Sequence, residues 1–132
     1  MVPVEVRVAG REARLMALFD TSSSFTLMGY EVLRKHFGDV GVRKLVRPRE
    51  AVLVNGQRIL IDAFVDAQMT VKGYMIEERI YLSPDVAQEV EVAGARRRLP
   101  ELIIGAPTME MWDIELDVRK GDVIVRGVPF IV

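Results

Sequence analysis

The residues best suited to chemistry stand together in one short stretch, Asp20-Thr21-Ser22-Ser23-Ser24. It follows Leu15-Met16-Ala17-Leu18-Phe19, an apolar run with the character of a buried strand. An ionised carboxylate at the end of such a strand is costly unless it is paired or hydrogen-bonded. Thr21 and the three serines offer hydroxyls and backbone N–H groups for that purpose. Taken alone, Asp-Thr-Ser reads first as an Asx or Ser/Thr turn, a common structural device. Other acid–base chemistry has little to work with. There is no Cys, so disulfides and thiolate metal sites are excluded, and His36 is the single His. No motif surrounds it, which argues against a His-based metal centre or a Ser-His-Asp triad and places it on a helix surface. Carboxylates remain, with no metal and no cofactor expected.

The elements that must position Asp20 repeat mainly with period two. Val4, Val6 and Val8 alternate with Glu5 and Arg7, Gly10 offers a turn, and Ala13 to Phe19 returns as a second strand. Phe25 to Met28 resumes the apolar pattern. Val32, Leu33 and Phe37 have helical spacing, and Gly38 marks a stop, so a helix is expected over Tyr30 to Phe37. Val42 to Asp66 is extended and contains Asn55-Gly56, a strong hairpin signal. A second hairpin runs from Ala67 to Leu82 around Lys72-Gly73. Ser83-Pro84 predicts a helical turn at Pro84 to Gln88, and Gly94 to Leu99 reads as a polar excursion. Leu102 to Gly105 is a short buried strand, Pro107 to Trp112 a brief helix, and Asp113 to Val125 a hairpin around Lys120-Gly121. Pro129 to Val132 reads as a terminal strand.

The bulk numbers agree with one globular domain spanning residues 1–132. Half of the residues are hydrophobic and 28% are charged. Eighteen Lys and Arg face nineteen Asp and Glu, a net charge of −1. That balance gives no electrostatic reason to expect nucleic acid or an anionic membrane as partner. The basic run Arg96-Arg97-Arg98 is too short to change this. Met1 to Arg11 has no long apolar core of the signal-peptide kind, no apolar run is long enough to span a bilayer, and a soluble, cytoplasmic protein is expected.

Two motifs taken together carry a resemblance. Ala17-Leu18-Phe19-Asp20-Thr21-Ser22-Ser23-Ser24-Phe25-Thr26-Leu27 is similar to the signature of the retropepsin-like aspartic peptidases: an apolar strand, Asp-Thr/Ser-Gly, small residues, then an apolar stretch. About eighty residues later that family carries an Ile-Ile-Gly strand leading into a short helix. Leu102-Ile103-Ile104-Gly105 and the residues to Trp112 resemble it, with two hairpins between in the family's order. The resemblance covers roughly residues 3 to 118.

It implies a mostly β, closed antiparallel barrel-like fold with one or two short helices, and an endopeptidase that cleaves extended peptides. In that family two close carboxylates share one proton and activate a water. Asp20 is the only Asp followed by Thr or Ser and then a small residue, so one chain supplies one carboxylate and a homodimer is required. Thr21 resembles the residue whose hydroxyl bonds across the axis. Ser22 stands where Gly is usual, its N–H facing the carboxylate. Gly105, behind Ile103 and Ile104, lets that strand pass close to the Asp20 loop. The retroviral salt-bridge positions are Ser24 and Ala106, so both charges are missing together. The hairpin from Val52 to Ile59 corresponds to the flap. Ser23, Ser24, Phe25, Leu53, Val54, Asn55, Gly56, Gln57 and Ile104 are the expected substrate contacts, which favours apolar peptide side chains. The partners are a second copy and a peptide or protein substrate. The rival expectation is a peptide-binding or dimerisation module of the same fold without catalysis, for which Ser22 and the missing salt bridge speak.

Overall fold

Val2, Val4, Val6 and Val8 are buried while the residues between them are exposed, the pattern of strand β1 (Val2–Val8) with one face on a core. In the computed structural model, residues 1–53, 56–86, 89–127 and 131 are described, with 89–92 and 97 described for their backbone only. Ala9 and Gly10 turn the chain with φ of 50° and 77° into β2 (Arg11–Asp20), which pairs antiparallel with β1 and buries Leu15, Ala17 and Phe19. Strand β3 (Leu27–Gly29) leads directly into helix α1 (Tyr30–Phe37), which turns Val32, Leu33 and Phe37 inward. Gly38, at φ 71°, closes that helix by donating its N–H to the Arg34 carbonyl, and Arg11 Nη1 bonds the Phe37 carbonyl at 2.6 Å.

Strands β4 (Arg43–Val52), β5 (Arg58–Val71) and β6 (Tyr74–Ser83) make two consecutive hairpins that share β5. A small hairpin, β7 (Glu89–Val92) and β8 (Ala95–Arg98), follows, then β9 (Leu102–Gly105) and helix α2 (Ala106–Met111). The hairpin of β10 (Ile114–Asp117) and β11 (Asp122–Val125) comes last.

The main sheet has the order β1-β2-β9-β3-β6-β5-β4, and β1 also pairs with β5. Six strands thus close into a barrel-like ring, with β4 carried outside it on β5. The pairing is mostly antiparallel, with β2–β9 and β3–β6 parallel. This mostly β, closed architecture with two short helices is the one expected. Among the described residues, no helix is long and apolar enough to cross a membrane.

Local differences have local causes. Pro84 and Asp85 form a turn and no helix; the Ser83 hydroxyl accepts the Asp85 N–H at 3.1 Å, so the cap is present without a helix to cap. Residues 87 and 88 of that expected helical turn lie outside the described residues. Most of the polar excursion at Gly94 to Leu99 is strand β8, joined to β7 through Ala93 and Gly94, both at positive φ. The expected terminal strand over Pro129 to Val132 falls almost wholly outside the described residues.

His36 is not a free surface residue. Its Nε2 meets Glu101 Oε2 at 2.5 Å, and the Met16 N–H donates to Glu101 Oε1 at 3.1 Å. Helix α1, β2 and the approach to β9 are thereby tied at one carboxylate. Burial pushes the Glu101 carboxyl up, but the Met16 amide, His36 and Lys35 outweigh it and hold the group below its ordinary value. A depressed carboxyl stabilises the folded state above its unfolded-state pKa, and the contribution is lost as pH falls through the folded-state pKa. Glu101→Gln is expected to cost about 1–3 kcal/mol at neutral pH. Thermal unfolding of both proteins should show that difference shrinking below the ordinary carboxylate range.

Candidate active site

Asp20 is the last residue of β2, paired in register with Gly105, the last of β9. Its Oδ1 accepts the Ser22 backbone N–H at 2.9 Å and the Ser22 hydroxyl at 2.6 Å. The Ser23 N–H returns to the Asp20 carbonyl at 3.1 Å, closing the turn. Ser23 Oγ donates to the Phe25 carbonyl at 2.7 Å and accepts its N–H at 3.3 Å, so the next residues are held as well. The Asx-type turn expected of this stretch is present, with the Asp20 carboxylate as its acceptor.

That turn lies on the end of β9. The Ala106 N–H donates to the Ser23 carbonyl at 2.9 Å. A Cβ built on Gly105 would stand 2.5 Å from the Phe25 carbonyl oxygen and 2.7 Å from that of Ser23. Beneath, the Gly105 N–H donates to Thr26 Oγ1 at 3.2 Å, and Thr26 and Thr108 share a buried hydroxyl–hydroxyl bond of 2.6 Å. These two threonines were not anticipated. The available signal is a Thr at a buried position on each side of the joint, after Phe25 and in the first turn of α2.

The carboxylate opens into a cleft of about 290 Å³ lined by Asp20, Ser22 to Phe25, Leu27, Glu50 to Leu53, Ile59, Ile61 and Ile103. A larger open groove of about 760 Å³ lies over Arg7, Asp66, Glu78 and Arg79, away from Asp20, and its walls are charged. The cleft wall is an apolar cluster of Leu27, Ile59 and Ile61, with Phe25, Leu53, Tyr81 and Ile103 packed against it. Phe25 and Tyr81 meet edge to face at 5.2 Å. Of the expected contacts, Ser23, Ser24, Phe25 and Leu53 line this cleft. Val54 and Asn55 lie outside the described residues. Gly56, at φ 86°, and Gln57 close the hairpin through Gly56 N–H to Leu53 O and Leu53 N–H to Gln57 O, each 2.8 Å, without lining the cleft. Thr21 is exposed beside it.

Ile104 requires a correction. It is 0% exposed in the main core, and Ile103 lines the cleft instead. The parallel register sets Ile103 beside Leu18 and Ile104 beside Phe19, and side chains of neighbouring paired residues share a face. Ile103 therefore belongs to the Asp20 side and Ile104 to the core side. Leu27, Val52, Ile59 and Ile61 were also missed as lining, because their alternation shows two faces without showing which one meets Asp20.

The β4–β5 hairpin is fastened beside this cleft. The Leu60 N–H donates to Asp85 Oδ2 at 2.7 Å, and Gln57 Nε2 reaches the Asp85 carbonyl at 3.5 Å. Among the described residues, no group of three His, Cys, Asp or Glu could hold a metal ion. Because backbone atoms, not flexible side chains, face Gly105, Gly105→Ala is expected to destabilise the fold by about 2 kcal/mol or more. Urea unfolding of the two proteins, with the fluorescence of Trp112 as a second probe, measures it.

No family model and no curated protein matches the chain. Solved structures do. The retroviral protease-like domain of Ddi1 from Leishmania major superposes with a TM-score of 0.56 at 15% identity, covering 96% of this chain and 88% of that one. EIAV protease, in complex with the inhibitor HBY-793, gives a TM-score of 0.59 at 13% identity, covering 89% and 90%. The closed ring, the Asp20 turn seated on Gly105 and these superpositions agree: the chain has the retropepsin-like fold.

Proposed function

We propose that the chain is an aspartic endopeptidase that acts as a homodimer, each copy contributing Asp20. The observation that carries it is a carboxylate held by two donors from Ser22 at the edge of an apolar cleft, beside a glycine-tipped hairpin. Two such carboxylates facing each other across a two-fold axis cannot both ionise easily, so one keeps a proton. The ionised partner takes a proton from a water lying between them as that water attacks the peptide carbonyl. The protonated partner donates to the carbonyl oxygen, and a proton then passes to the leaving nitrogen.

Thr21, exposed next to Asp20, is assigned the bond across the axis that locks the two turns. Ser22 supplies the N–H usually given by Gly, and its hydroxyl adds a second donor. The substrate is an extended peptide with apolar side chains flanking the cut, matched to Phe25, Leu27, Leu53, Ile59, Ile61 and Ile103. One domain over residues 1–132 suffices for this half-site.

Ser22 also supports a second reading, a peptide-binding module without catalysis. Its Oγ stands 2.6 Å from Asp20 Oδ1, beside where the attacking water would sit. Asp20→Asn separates the two. It is expected to leave a folded dimer and to lower cleavage of apolar peptides by at least about 10²–10⁴-fold, the usual weight of a positioned acid–base group. Cleavage by the parent should peak at acidic pH, where the pair keeps its shared proton, and a pepstatin-type inhibitor should block it. Parent-rate cleavage by Asp20→Asn would refute the mechanism. Peptide binding with no cleavage at any pH would establish the module.

A further inference from the structure

Strand β5 outruns its neighbour. It pairs with β6 from Ala63 to Val71, while Arg58 to Ile61 pair with β4 alone. This protruding end carries Ile59 and Ile61, both buried and both on the cleft wall. Leu60 lies between them and faces the other way, partly exposed. Where β6 has ended, a side chain takes over: Asp85 Oδ2 accepts the Leu60 N–H at 2.7 Å. The bonded amide thus sits between the two isoleucines that form the wall.

Asp85 stands on a firmly seated turn. Its own N–H donates to Ser83 Oγ at 3.1 Å, and Ser83 is fully buried and pairs with Gly29 of β3. Val86 packs on the Leu27–Ile59–Ile61 cluster. It lies so close to Gly29 that a Cβ there would stand 3.0 Å from the Val86 carbonyl oxygen. Just ahead of β3, the Thr26 carbonyl accepts the Tyr81 N–H at 2.9 Å, and Thr26 Oγ1 accepts the Gly105 N–H. The Asp85 carboxylate and the turn that presents Asp20 are therefore both fixed to β3 and β6.

We propose that Asp85 is a positioning residue: by holding the Leu60 amide, it sets Ile59 and Ile61 across the cleft from Asp20 at the spacing that an extended apolar peptide needs. This rests on the peptide-cleft reading and adds what keeps the wall in register with the carboxylate. Without the link, the protruding end of β5 leans on β4 alone, the outermost strand of the sheet. Binding must then supply the missing order. Loss of the acceptor should weaken substrate binding about fivefold to tenfold, the net weight of one hydrogen bond, and spare the chemical step.

The test compares Asp85→Ala and Asp85→Leu, which lack the acceptor, with Asp85→Asn, which keeps an oxygen at the same reach. Asp85 is exposed, and thermal unfolding checks that each protein is folded. For one apolar peptide, kcat and KM are measured in the parent background and Kd in the Asp20→Asn background. The Ala and Leu variants should raise KM and Kd by the stated factor with kcat within about twofold, and Asn should stay near the parent. A merely structural role would reduce the active fraction, lowering kcat at unchanged KM. That result, or unchanged KM and Kd in both variants, would overturn the role of Asp85. An Asn variant as weak as Ala would overturn it as well. A parent that binds the peptide without cutting it would overturn the peptidase reading alone, with the Kd series still deciding on Asp85. A parent that does not bind the peptide would overturn both.

Discussion

The contact between Gly105 and the carbonyls of Ser23 and Phe25 is the constraint on which the site depends. Strand β9 must lie directly beside β2 for its end to reach Asp20, and the turn after Asp20 must then fold back over that same end. Two stretches of backbone occupy a space in which one methyl group would not fit. Nothing but glycine allows it. Once they are this close, the amides of Gly105 and Ala106 have acceptors within reach in Thr26 Oγ1 and the Ser23 carbonyl. The steric requirement and the satisfaction of the buried backbone are therefore met by one arrangement.

Above that joint, the polar contacts are made by hydroxyls. Ser22 bonds the carboxylate, Ser23 bonds the backbone of Phe25, and Thr26 bonds Thr108 below. Each is short, so its reach is set by the backbone and little rotamer freedom is lost in holding it. Among the described residues both donors to the Asp20 side chain come from Ser22. Charge-assisted bonds of this kind hold a carboxylate in one orientation without neutralising it, as a lysine or arginine partner would. The aspartate is fixed in place.

Much of this was legible in the residues. Helix α1 matches its expected span because Val32, Leu33 and Phe37 give the spacing and Gly38 the stop. The Asp20 turn and Gly105 were identified as neighbours, with the steric reason for the glycine. The exchange of Ile103 for Ile104 shows where such reading ends: alternation assigns two faces, but only the pairing of β2 with β9 says which is which. The β7–β8 hairpin was obscured by its arginines, although Val90 and Val92 alternate with Glu89 and Glu91 ahead of Ala93-Gly94. The link from His36 to Glu101 spans 65 residues, and no local pattern encodes a contact of that range.

The pairing of Asp20 with Gly105 joins residues 85 positions apart, as does the Met16–Glu101 bond beside it. Contacts of such separation form slowly, since a long loop must close before any of them is rewarded. During synthesis Asp20 leaves the ribosome well before the strand that seats its turn, whose Gly105 follows 85 residues later. A nascent chain therefore carries Asp20 for a time with nothing beneath its turn, and the carboxylate takes up its position only once β9 has been made.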